Sequence, residues 1–487
     1  MMKYYSTRGD KAALSSAEAI KKGIADDGGL YMPESIPSLA LEEVESLIDK
    51  SYSERAFYVL SKFLDDYDAE TLKKICEISY NEERFGKEAA PVVKLQNGMS
   101  VLELWHGPTC AFKDMALQIM PRLLSSALVM TGEDKTALIL VATSGDTGKA
   151  ALEGYRDVDG VKILVFYPEK GVSGIQKLQM ASQEGNNVGV VAIHGNFDDA
   201  QTGVKKIFSS DDIRAKLLEK NTFLSSANSI NWGRLAPQIV YYVSAYCDMV
   251  KQGTIKMGDK IDVTVPTGNF GDIFAAYIAK KMGLPLDRLV CASNKNKILS
   301  DFFETGVYDR RRDFFTTTSP SMDILISSNL ERLLWAASDC ETVKGLMAEL
   351  SEKGVYTITP ELLAKLKADF SGGWCSEEDC AVTIKEVFES DKYVIDPHTA
   401  VAVKCAKEAQ GENKMLIVST ASAYKFAPAV LKALAGKEEK EEFDSISTLS
   451  AITETAAPTP LATLKDKKVR FTDTCDKEDM PEKVLKF

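Results

Sequence analysis

Histidine is scarce in this chain, with three among 487 residues, and His106, His194 and His398 have none of the clustered spacing that a metal site needs. No metal ligand is expected. The nine cysteines include no close Cys-x-x-Cys pair, and the four-residue gap between Cys375 and Cys380 has no second pair to complete a zinc site. Odd in number and scattered, they fit reduced thiols in a cytosolic protein. No stretch approaches the eighteen or so apolar residues of a membrane span. Residues 1–10 lack an apolar core of signal-peptide length. A cytoplasmic location without a membrane partner is therefore the expectation. A surplus of positive charge is also missing. Lys and Arg number 59 against 71 Asp and Glu, and the net charge of -12 excludes a protein built to neutralise nucleic-acid phosphates.

What remains is an ordinary globular composition, 45% hydrophobic and 27% charged. Its length predicts about two to four domains. Three short apolar runs end in glycine-rich or proline turns: residues 137–142 before Thr143-Ser144-Gly145-Asp146-Thr147-Gly148, residues 161–167 before Pro168, and residues 261–265 before Pro266-Thr267-Gly268-Asn269-Phe270-Gly271-Asp272. A fourth, residues 415–420, reaches Ala421-Ser422-Ala423-Tyr424-Lys425-Phe426. Strand, turn and helix in succession predict a parallel α/β sheet with ligands at the strands' carboxyl ends. Residues 1–95 lack this pattern and read as an appended, mostly helical region, with 41–48 spaced amphipathically.

Two loops and one lysine carry candidate chemistry. Gly268-Asn269-Phe270-Gly271 lies between strand and helix, where consecutive backbone N–H groups can cradle a phosphate at the positive end of a helix dipole. It has neither the ending of a nucleotide P-loop nor the spacing of a dinucleotide site, so one phosphate group fits better. A plain glycine turn uses the same residues. Thr143 to Gly148 is a second anion-friendly loop, and also an ordinary capping turn. Lys113, in His106-Gly107-Pro108-Thr109-Cys110-Ala111-Phe112-Lys113-Asp114, sits between a Gly-Pro turn and an apolar helix. A lysine at a helix start is ordinarily solvated. One held against apolar neighbours loses hydration, and its neutral amine can bond an aldehyde. Nearby Cys110 reads as a buried small hydrophobe or a reactive thiol. His106 and His398 read equally as proton shuttles or packed hydrogen-bonded groups, and His194 as structural.

These motifs occur in a familiar order together with Ser226-Ala227-Asn228-Ser229-Ile230-Asn231-Trp232-Gly233-Arg234, Tyr5-Ser6-Thr7-Arg8-Gly9, Asp27 to Pro33, Phe197 to Gln201 and Asp396 to Val401. The chain resembles the threonine synthase family, fold-type II pyridoxal-phosphate enzymes, in its longer bacterial and fungal branch. The resemblance implies a tryptophan-synthase-β-like fold. It divides residues 1–95, an amino-terminal domain, from a catalytic region 96–487, with a smaller lobe of about 130–235 and a larger lobe from 96–129 and 236–487. It implies that Lys113 forms the Schiff base with pyridoxal 5'-phosphate. Gly268, Asn269, Phe270, Gly271 and Asp272 would hold the cofactor phosphate, with Asp146 near the ring's 3-hydroxyl and Thr420 facing the pyridine nitrogen. Members often carry His-Pro-Ala where this chain has Ser422-Ala423-Tyr424, while the Thr420 hydroxyl is retained. Ser144, Thr147, Lys149, Asn228, Asn231 and Arg234 become candidates for the substrate's phosphate and carboxylate.

The implied activity is conversion of O-phospho-L-homoserine and water to L-threonine and phosphate, the last step of threonine biosynthesis, by a monomer or weak homodimer. Lys113 would move protons at successive carbons. Two other readings share the motifs: a phospho-lyase releasing 2-oxobutyrate, ammonia and phosphate, and a cofactor-binding protein without catalysis.

Overall fold

The structure is a computed structural model and describes every residue of the chain except Asn97 and Ser144. Two sheets organise it. The larger has six strands in the order Phe370–Trp374, Leu286–Ser293, Ile261–Pro266, Lys414–Ser419, Met99–Glu103 and Val92–Lys94. Only the last runs antiparallel to its neighbour. The smaller sheet is wholly parallel, in the order Thr474–Cys475, Val188–Ile193, Val161–Pro168, Thr136–Ala142 and Thr222–Ser225. Parallel strands joined by crossover helices are covered on both faces, which selects continuous apolar runs. Val188–Ile193 and Ile261–Pro266 are buried along their whole lengths. The four strands expected at 137–142, 161–167, 261–265 and 415–420 are present, the first three differing by one residue at one end and the fourth displaced by one residue at both.

The sequence reading puts all of 236–487 with the larger lobe, and here the structure differs. Thr474–Cys475 adds an edge strand to the smaller sheet, and helix Met480–Lys486 buries Met480 and Val484 against Ala200, Val204 and Ile207. Burial of those apolar side chains draws this segment back across the molecule. Val92–Lys94, inside the region expected to be appended, likewise joins the larger sheet.

Helix Trp232–Lys251 is the central post. Nearly all of its residues are buried, and it packs against helices Gly271–Met282, Tyr52–Ser61 and Lys113–Leu117. Trp232 lies between the rings of Tyr4 and Phe63, with centroids 5.4 and 5.6 Å away. Arg55 crosses to Asp248 at 2.7 Å and also donates to the Leu47 carbonyl at 2.9 Å. The amino-terminal motif has a docking role: Thr7 donates to Glu331 at 2.6 Å, and Arg8 forks onto the same carboxylate at 2.9 and 2.8 Å.

Helix Asp146–Tyr155 of the smaller lobe approaches the Lys113 helix through Gly154. A β-carbon at Gly154 would lie 1.8 Å from the Leu117 carbonyl oxygen, an overlap that only backbone movement relieves. Gly154→Ala should therefore lower stability by about 1–3 kcal/mol. Urea unfolding checks this, and a midpoint equal to wild type would contradict so close a contact.

Candidate active site

Lys113 begins helix Lys113–Leu117 and is buried. Its loop is stitched to the end of strand Lys414–Ser419: the Phe112 N–H donates to the Thr420 carbonyl at 2.8 Å, and the Ser422 N–H to the Cys110 carbonyl at 3.1 Å. Cys110 takes a left-handed backbone with φ of 57° to make the turn. Asp114 accepts the Thr109 N–H and hydroxyl, both at 2.8 Å, and burial raises its carboxyl to about 6. The Lys113 amine donates to the Ser321 hydroxyl at 3.2 Å and lies 3.7 Å from Asp146 and 5.0 Å from the Phe112 ring centre. Desolvation lowers its pKa to about 8; Asp146 and Asp114 oppose the fall, while Lys425 and Arg234 deepen it. Neutral amine is thus abundant near pH 8. Burial pushes the neighbouring Cys110 thiol up to about 12, so it stays neutral.

Strand Ile261–Pro266 leads into the second element. Thr267 hydrogen-bonds to the Ala292 and Val265 carbonyls, and Phe270 caps helix Gly271–Met282 with a left-handed φ of 65°. The carbonyls of Gly268 and Asn269 face away, accepting from Ser327 at 2.7 Å and from the Asn329 N–H at 3.0 Å. Among the described residues, the N–H groups of Gly268 through Asp272 donate to no protein acceptor. Five orphan donors at a helix start suit an anion. Gly268 also passes so close to the Ser321 carbonyl that a β-carbon would lie 2.6 Å away. The Asp272 side chain turns elsewhere, accepting from Tyr241 at 2.5 Å and Tyr242 at 2.6 Å, and burial lifts its carboxyl to about 6.

Asp146 lies opposite, at the first turn of its helix. One oxygen accepts from Lys425 at 2.9 Å and Gln176 at 2.8 Å, and the other from the Ser321 hydroxyl at 3.3 Å. Burial alone would raise this carboxylate, yet Lys425 and Lys113 hold it well below the usual range. Thr420 is buried at the adjoining strand end. Lys425 and Ser321 are site residues that sequence reasoning missed. Lys425 had a signal, since it follows the same strand end that points to Thr420. Ser321 had none, because its short turn Pro320–Met322 is carried in by long-range packing.

The six residues expected to serve the substrate have different surroundings. Arg234 is buried, donates to the Ala227 carbonyl at 2.8 Å, and has no carboxylate partner among the described residues. Desolvation lowers its pKa to about 10, and its neighbour Tyr155 has a buried hydroxyl without a partner. Thr147 is half-buried beside Asp146, and Asn228 is exposed. Lys149 is committed to Glu153 at 3.2 Å and Gln183 at 2.5 Å inside the smaller lobe. Asn231 caps helix Trp232–Lys251 through Gly233 and donates to the Ile20 carbonyl at 2.9 Å. Both have protein partners in this structure. Ser144 lies outside the described residues. His398 is fixed through both ring nitrogens, to Asp396 at 2.5 Å and to the Ser321 N–H at 3.1 Å. His106 stacks on Trp105 and contacts Glu103 at 2.6 Å. His194 contacts Asp476 on the surface at 3.0 Å.

Because the folded-state pKa of Asp272 exceeds its unfolded value, it contributes stability that is full below about pH 4 and lost as pH rises through about 6. Asp272→Asn should flatten that part of the profile. The difference in urea midpoint between pH 4 and pH 7 should be smaller than in wild type, and an equal difference would contradict the assignment.

Three family models cover the chain: "Threonine synthase N terminus" over residues 3–80, "Pyridoxal-phosphate dependent enzyme" over 101–421 and "Threonine synthase, C-terminal" over 399–484. Threonine synthase-like 1 of Macaca fascicularis is 43% identical over 442 residues, 88% of this chain; the match spans 59% of that longer relative. Threonine synthase of Schizosaccharomyces pombe is 40% identical over 466 residues, covering 88% of this chain and 89% of the relative. The crystal structure of pyridoxal-phosphate-bound threonine synthase from Brucella melitensis superposes with a TM-score of 0.89 at 39% identity, over 100% of this chain and 99% of that one. With the buried lysine and the orphan-donor loop lying inside the matched stretch, the chain belongs to the threonine synthase family of pyridoxal-phosphate-dependent enzymes.

Proposed function

We propose that this protein converts O-phospho-L-homoserine and water to L-threonine and phosphate with pyridoxal 5'-phosphate as cofactor. One observation carries the reading. A buried, readily neutral Lys113 shares its surroundings with two anion-seeking groups, the N–H cradle of Gly268 to Asp272 and the unpaired Arg234. An aldehyde bearing one phosphate, and a substrate bearing its own anion, match that set.

The residues present fit the cofactor. Lys113 would bond its aldehyde, the five orphan N–H groups would hold its phosphate, and Asp146 and Thr420 would face its ring. When bound, the cofactor supplies an electron-withdrawing ring that spreads the negative charge left by proton removal. The chain's own residues do the rest. Lys113, displaced by the substrate's amine, is a neutral base because burial holds its conjugate acid near 8. It removes the α-proton and then a β-proton, as the γ-carbon–oxygen bond to phosphate breaks. Water adds its oxygen to the β-carbon, and protons return to the α- and γ-carbons. Arg234, charged at neutral pH and without a carboxylate partner among the described residues, binds the departing phosphate or the α-carboxylate. Enclosure between the lobes limits access of bulk water to these protons.

The test is product analysis after incubation with O-phospho-L-homoserine. Threonine and phosphate in equal amounts are expected; 2-oxobutyrate with ammonia and no threonine would replace this reading by the phospho-lyase. Lys113→Ala should abolish both turnover and the visible absorbance of the bound cofactor, and retained turnover would exclude the mechanism. Arg234→Gln should raise KM for the phosphorylated substrate by about 10–100-fold, the loss of one or two charge-assisted hydrogen bonds, with the cofactor spectrum unchanged. An unchanged KM would remove Arg234 from the substrate's anion site.

A further inference from the structure

We propose that Lys425 is a positioning residue that sets the charge of Lys113 without touching it, by neutralising the Asp146 carboxylate that stands between them. This rests on the reading of Lys113 as the cofactor-bonding amine and adds a second lysine to that site.

The geometry is specific. Lys425 lies in the turn Ala423–Phe426 that follows strand Lys414–Ser419 of the larger sheet, whereas Asp146 opens a helix of the smaller lobe. Their ion pair of 2.9 Å therefore spans the two lobes, and the Lys425 side chain has 0% exposure. Its amine also donates to the Thr109 carbonyl at 2.9 Å, which fixes it against the loop that carries Lys113. Asp146 divides its oxygens. Oδ1 receives Lys425 and Gln176, while Oδ2 faces Lys113 at 3.7 Å and the Ser321 hydroxyl at 3.3 Å. Thr109 ties Asp114, the residue after the lysine, through both oxygens. The charges acting on Lys113 are thus Asp146 and Asp114 on one side of the balance and Lys425 and Arg234 on the other.

Removing one member of the Asp146–Lys425 pair unbalances this set in a defined direction. Without Lys425, a buried carboxylate faces Lys113 alone, stabilises its ammonium form and keeps it from adding to an aldehyde. Without Asp146, two lysines confront each other in a dry site, and Lys113 loses its proton more readily. Removing both restores near-neutral surroundings. A lysine needed only for packing would change the yield or stability of the fold and would not generate shifts of opposite sign.

The experiment measures the rate at which the full chain, stripped of cofactor, captures added pyridoxal 5'-phosphate, as a function of pH. Borohydride trapping and peptide mass locate the adduct on Lys113. Capture requires neutral amine, so the midpoint of the pH–rate profile reports the Lys113 charge. The midpoint should rise by roughly one to two units in Lys425→Met and fall by a similar amount in Asp146→Asn. In the double variant it should return to within about half a unit of wild type. Should Lys425→Met fail to fold, Lys425→Gln repeats that arm, while the nearly isosteric Asp146→Asn fixes the sign of the Asp146 contribution against which the Lys425 variants are read. Shifts in the same direction, unmoved midpoints or a double variant that keeps the larger shift would overturn the proposal. Failure of the wild-type chain to form any Lys113 adduct would instead overturn the function proposed above, and this inference with it.

Discussion

Keeping a lysine amine out of water, yet free to lose its proton, constrains everything built around Lys113. Desolvation supplies the tendency toward the neutral form, and it works only while the two lobes meet. The loop 106–113 is consequently pinned from several sides. Backbone hydrogen bonds hold it to the end of strand Lys414–Ser419, Asp114 locks Thr109, and the turn Pro320–Met322 lies across its open side. The Asp396–His398 pair holds that turn by its Ser321 N–H, and the Ser321 hydroxyl in turn accepts from the lysine amine.

The same logic explains why helix Trp232–Lys251 is so thoroughly enclosed. Its first turn presents Arg234 and also packs Trp232 against Tyr4 of the amino-terminal region, while near its other end Asp248 pairs with Arg55. The amino-terminal residues therefore form part of the packing that orients a buried guanidinium. Asn231 illustrates the connection, since it caps the helix and bonds to Ile20 with one side chain.

How much was readable in the sequence follows from how local each feature is. Four strands and the loops after them could be seen because apolar runs ending in turn residues are local signals, and Asp146, Gly268 to Asp272 and Thr420 sit at such ends, while Lys113 stood out between a Gly-Pro turn and an apolar helix. Leu286–Ser293 and Phe370–Trp374 escaped notice. The first carries Asp287 and Arg288 within it, and the second is a glycine-containing edge strand. Lys149 and Asn231 drew attention by residue type and position, but side-chain direction is a tertiary property, and both point to structural partners. Ser321 could not be found, because its relation to Lys113 depends on a turn brought from about two hundred positions away.

The edge strand Thr474–Cys475 has a bearing on synthesis. Val188–Ile193 is a buried, wholly apolar strand in the finished protein, and its outer side is covered by a segment that follows it in sequence by nearly three hundred residues. During translation the other four strands of the smaller sheet can assemble early, but they must then wait with an uncovered, sticky flank while the four remaining strands of the larger sheet are being made. The returning segment is the latch that ends that exposure.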